Sequence, residues 1–100
     1  MTIHKFFYSH TFPVGTLTHE QICQVAEASQ HETNIRGYRS FFNLTEGKAW
    51  CVLEATDRDA LASWFDKMGI PYDSILPVEL EGERGVIDEL TPEPASARVG

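Results

Sequence analysis

Residues 49 to 69, Ala49-Trp50-Cys51-Val52-Leu53-Glu54-Ala55-Thr56-Asp57-Arg58-Asp59-Ala60-Leu61-Ala62-Ser63-Trp64-Phe65-Asp66-Lys67-Met68-Gly69, decide the fold, because the apolar rhythm changes in the middle of them. As far as Ala55 every second residue is apolar and small or aliphatic, which is a strand with Ala49, Cys51, Leu53 and Ala55 on one face and Trp50, Val52 and Glu54 on the other. From Asp57 the apolar residues recur as Leu61, Trp64, Phe65 and Met68, the stripe of one helical face. Asp57 is a good N-cap, Asp59 puts negative charge in the first turn, Gly69 supplies a left-handed stop, and Pro71 prevents continuation.

Upstream, Thr45-Glu46-Gly47-Lys48 reads as a short hairpin turn that joins this strand to another over Tyr38 to Leu44. Farther back, Thr18 and Gln21 form a capping box, with Leu17 and Ile22 as a hydrophobic staple. The helix they open carries Ile22, Val25, Ala26 and Ser29 on its apolar side, opposite Glu20, Gln24, Glu27 and His31. Ile3 to Phe12, stopped by Pro13-Val14-Gly15, is the first strand, and Ile75 to about Glu81 the last. On that last strand Leu76, Val78 and Leu80 are expected inward, and Ile75, Pro77, Glu79 and Glu81 outward.

The order strand, helix, strand, strand, helix, strand predicts an α+β ferredoxin-like βαββαβ sandwich. Right-handed crossovers set both helices on one face of a four-stranded antiparallel sheet, with strands one and three central. This domain is expected to cover residues 1–82, leaving residues 83–100 as an extension that is flexible from Thr91. Val86, Ile87 and Leu90 in it either dock on the body or meet a partner.

One hundred residues support one modest core, so pairing with a second copy is expected. With 15 acidic and 8 basic residues the net charge is −7, and the scattered lysines and arginines form no stripe for nucleic acid. Cys23 and Cys51 make no C-x-x-C unit, Met1 to Lys5 has no apolar leader, and no apolar run is long enough for a bilayer. A reduced, cytoplasmic, homodimeric chain is expected, with neither membrane nor nucleic-acid partner.

The helices claim one sheet face, so function is sought on the other. There Trp50, Val52 and Glu54 are too greasy for water and too charged for a plain core. Strand one alternates Ile3, Lys5, Phe7, Ser9 and Thr11 with His4, Phe6, Tyr8, His10 and Phe12. The second set is placed on the open face, which brings His4 near Glu54, His10 near Trp50, and Glu81 near His4. Imidazoles and carboxylates together suit a divalent metal, so His4, His10, Glu54 and Glu81 are the candidate ligands. Tyr8, Trp50 and Glu79 are the candidate pocket lining. The plainer alternatives are hydrogen-bonded, partly buried histidines, a Glu54 ion pair with Arg39 or Lys5, and Cys51 as a small packed hydrophobe. Glu27 and His31, at i and i+4, have ligand spacing that solvated helices also produce.

Leu17-Thr18, Arg39-Ser40-Phe41, Trp50 to Ala55, the Asp-capped helix and Gly69-Ile70-Pro71-Tyr72-Asp73-Ser74-Ile75 together resemble the small nickel-binding proteins of ferredoxin-like fold, over about residues 5 to 80. The resemblance implies a homodimer paired through sheet faces and, for some members, nickel held by histidine and carboxylate. The leading expectation is therefore a non-catalytic binder of nickel or another divalent metal, at the open face or dimer interface. The alternative is a small dimeric α/β-barrel-type monooxygenase or isomerase, whose pocket between sheet faces would be lined by Tyr8, His10, Trp50 and Glu54.

Overall fold

The computed structural model describes residues 2–92. Its elements are β1 (His4–Thr11), α1 (His19–Ala28), β2 (Ile35–Asn43), β3 (Lys48–Ala55), α2 (Arg58–Met68), β4 (Ser74–Pro77), β5 (Leu80–Glu83) and β6 (Val86–Glu89). The fold is α+β, with a four-stranded antiparallel sheet in the order β2-β3-β1-β4 and a separate hairpin of β5 and β6. The two central strands are β1 and β3, as the sequence implies.

Both helices begin as their caps dictate. At α1 the Gln21 amide donates to Thr18 Oγ1 (3.2 Å) while the Thr18 amide donates to Gln21 Oε1 (2.8 Å), the reciprocal bonds of a capping box. At α2 the Ala60 amide donates to Asp57 Oδ1 (2.7 Å), and Gly69 closes the helix at φ 69°.

The core joins Phe6, Tyr8, Ile35, Cys51, Leu53, Ala55 and Ile75 of the sheet to Leu61, Trp64 and Phe65 of α2, with Val25 and Ala28 of α1 packed against it. On β3 the expected split holds: Ala49, Cys51, Leu53 and Ala55 are buried and Trp50 is exposed.

On β1 the expected parity is reversed. His4, Phe6, Tyr8 and His10 are buried beside Ala55, Leu53, Cys51 and Ala49, whereas Lys5, Phe7, Ser9 and Thr11 share the open face with Glu54, Val52, Trp50 and Lys48. The reason is the cost of charge in a core: the other register would have buried Lys5 to expose four rings.

The last strand differs too. Ile75 is buried opposite Tyr8 and Leu76 lies open opposite Phe7, the reverse of what was expected for these two, while Glu79 is exposed as expected and Leu80 and Glu81 belong to the hairpin. Pairing in β4 ends at Pro77, which has no amide to donate. After Val78, whose amide donates to the Lys5 carbonyl (3.0 Å), the chain leaves the sheet and enters the hairpin. Arg84 and Gly85 turn it at φ 52° and 87°, the paired positive values that two-residue hairpin loops need. The boundary expected at Gly82 thus falls inside β5, and residues expected in an extension form β6. Val86 and Ile87 are exposed and Leu90 is half-buried. Thr91 and Pro92 are placed, and the rest of the tail expected to be flexible lies outside the described residues.

Candidate functional site

The four expected metal ligands do not meet. His4 and His10 sit on the buried side of β1, and each Nδ1 faces a carbonyl: Thr91 O at 2.6 Å and Pro71 O at 2.5 Å. Because a carbonyl only accepts, Nδ1 carries the proton in both rings, leaving Nε2 as the acceptor. Burial pushes His10 below its ordinary range, although the Pro71 carbonyl and the Asp73 carboxylate pull the other way. Glu54 is on the opposite face, in register with Lys5 and Arg36. It makes no hydrogen bond or ion pair to a described residue.

Glu81 belongs to β5 and is occupied. Lys5 Nζ donates to its Oε1 (2.6 Å), the Tyr38 hydroxyl donates to its Oε2 (2.8 Å), and Nζ stands 3.7 Å from the centre of the Tyr38 ring. Lys5, and then Tyr38, hold the Glu81 carboxyl below its usual range. Arg39 and Glu83 add an exposed pair at 3.3 Å, so two ion pairs and a tyrosine moor the hairpin to β1 and β2. Among the described residues no three His, Cys, Asp or Glu side chains are gathered as a metal site.

What the structure does gather is an aromatic open face and a cavity behind it. Phe7, Phe41, Trp50 and Leu76 lie exposed on the open side, which follows from their register on four adjacent strands. On the other side a cavity of about 350 Å³ separates α1 from the buried sheet row. Tyr8 and His10 line it together with Cys51, Phe42, Val25 and Phe65, whereas Trp50, Glu54 and Glu79 do not. This cavity lies under a helix, apart from the pocket expected between the sheet faces of two protomers. Burial pushes the Tyr8 hydroxyl well above its ordinary range and also raises the Cys51 thiol, so both stay protonated and Cys51 is a poor nucleophile.

The cavity had a signal in the sequence. The stripe of α1 offers one Ile and one Val among small residues, too little volume to fill the space over a row of rings. No residue within α1 is buried.

None of the described helices is long and apolar enough to cross a membrane. No curated protein and no solved structure matches the chain. The family described as "Nickel responsive protein SCO4226-like" matches residues 6–78, from β1 through the end of β4 and short of the hairpin. That span holds His10, Trp50 and Glu54 and omits His4, Glu79 and Glu81. The chain therefore belongs to the SCO4226-like nickel responsive protein family.

Proposed function

We propose that this protein is a non-catalytic, homodimeric binder of a divalent metal, nickel by family, with a ferredoxin-like sandwich that pairs through its open sheet face. The family match supports the metal. The observation that carries the site is Glu54, a half-buried carboxylate on a central strand without a partner among the described residues, amid exposed aromatics. Such a group calls for a cation. One protomer's described residues do not fit nickel by themselves, so the second copy has to complete the ligand set, and Glu54 is the first ligand from each side. His4 and His10 face the core and are not assigned to it.

Isothermal titration of chelator-treated protein with nickel tests this. Saturable binding is expected at neutral pH, at least 10-fold weaker in Glu54→Gln. Carboxylate ligands predict that binding persists at pH 6 and fades toward about pH 4, whereas histidine ligands predict loss through about pH 6.5. No heat with nickel or zinc ends the metal reading.

A further inference from the structure

The space under α1 has the build of a ligand pocket. Its volume, about 350 Å³, lies at the lower end of the range of roughly 300 to 1,000 Å³ that such sites occupy. Its walls are the rings of Tyr8, Phe42, Trp64 and Phe65 below and the aliphatic side of α1 above. Arg39 is the one charged residue lining it among those described, and its guanidinium is already engaged by Glu83.

Two donors in this wall are unspent. Tyr8 is only 2% exposed, yet its hydroxyl makes no hydrogen bond to any described residue. Trp64 Nε1 is buried without a partner as well. A packed core rarely leaves a buried donor such as Trp64 Nε1 unmatched among the described residues, whereas the Tyr8 hydroxyl keeps solvent access from the cavity that it lines. With α1 held by half-buried rather than buried side chains, the lid of the space is also its least anchored wall.

We propose that this cavity binds a small, uncharged, mainly apolar ring compound whose single hydrogen-bonding group is received by Tyr8. The rings supply stacking surface, the absence of a free charge rejects anions and cations, and the Tyr8 hydroxyl sets the orientation. The site lies on the opposite side of the sheet from Glu54 and does not depend on the metal reading.

The test uses 2-naphthol and naphthalene as probes on the chelator-treated full chain, followed by probe fluorescence and by methyl shifts of Val25 and Ile22. Saturable binding of both probes is expected, with shifts confined to α1, the buried sheet row and the Trp64–Phe65 side of α2. Tyr8→Phe removes a hydroxyl that holds no other residue, so the fold is retained. It should weaken 2-naphthol by about 2- to 10-fold, the size of one neutral hydrogen bond, and leave naphthalene unchanged. Ala26→Phe, an exposed helix position that lines the cavity, should block both probes. Failure of both probes to saturate, or binding indifferent to both substitutions, overturns the proposal. An equal loss of both probes in Tyr8→Phe overturns the role of the hydroxyl.

Discussion

Lys5 decides more than any other residue. It excludes its own row from the core, and so commits His4, Phe6, Tyr8 and His10 to the buried side. Partial burial pulls its pKa down, yet the bonds to Glu81 and Tyr38 outweigh this and hold it above the ordinary value. Glu81 is held below its own. The pair's contribution from Glu81 is therefore complete above the ordinary carboxylate value of 4.5 and is lost as pH falls through the lowered one. The contribution from Lys5 is complete below 10.5 and is lost as pH rises through the raised value. Glu81→Gln should cost about 0.5 to 1 kcal/mol in urea denaturation at pH 7, and the difference from the parent should close toward pH 3. His10 acts with the same acid-side sign. Its pKa is lowered on folding, so its contribution is present above about 6.5 and is lost as pH falls toward the folded value. His10→Gln should flatten the decline in stability between pH 6.5 and 5, and an unchanged slope would show that other groups cause it. This alternation was only half legible in the sequence: both rows of β1 hold aromatics, and the two histidines in the ring-rich row draw it toward the open, polar side. The decisive fact is that a lysine without a buried partner outranks them, and with the strands antiparallel that alone would have put Lys5 beside Glu54.

At the scale of elements, what local chemistry determines was readable and what distant contacts determine was not. The caps at Thr18 and Asp57, the stop at Gly69 and the alternation of β3 are local, and all are found where the spacing put them. The hairpin of β5 and β6 is different. Its strands are four residues each and wholly exposed on β6, without the apolar alternation that marks a half-buried strand. Only the Arg84-Gly85 turn announces it, and the moorings to Lys5, Tyr38 and Arg39 that hold it lie 43 to 76 residues away in sequence. For the same reason α1 should respond to its cap more than α2 does. It has no buried residue to hold it, so its N-terminal bonds carry a larger share of its stability. Thr18→Ala should cost about 1 kcal/mol and speed amide exchange across His19–Ala28 while α2 stays protected. Equal deprotection of both helices would mean that α1 opens only when the whole domain does.

At the scale of the molecule, the two sheet faces divide the available roles. The buried face carries the core and the cavity, and the open one presents Phe7, Phe41, Trp50 and Leu76 to solvent at 37%, 57%, 39% and 56% exposure. A domain of this size buries too little of its own surface to leave aromatic area in water without consequence. If a second copy covers that face, native stability includes an association term, and the melting temperature must rise with protein concentration. Trp50→Glu separates the two contributions. In a lone protomer Trp50 stands on the surface, so its replacement should change monomer stability by about 0.5 kcal/mol or less. Between two facing sheets it would place like charges against each other and against Glu54, and dissociate the pair. Sedimentation should therefore show a dimer for the parent chain and a monomer for Trp50→Glu, whose melting temperature no longer depends on concentration. A parent chain that sediments as a monomer at every loading would leave Glu54 with one protomer's ligands alone, and the metal site would have to be sought elsewhere.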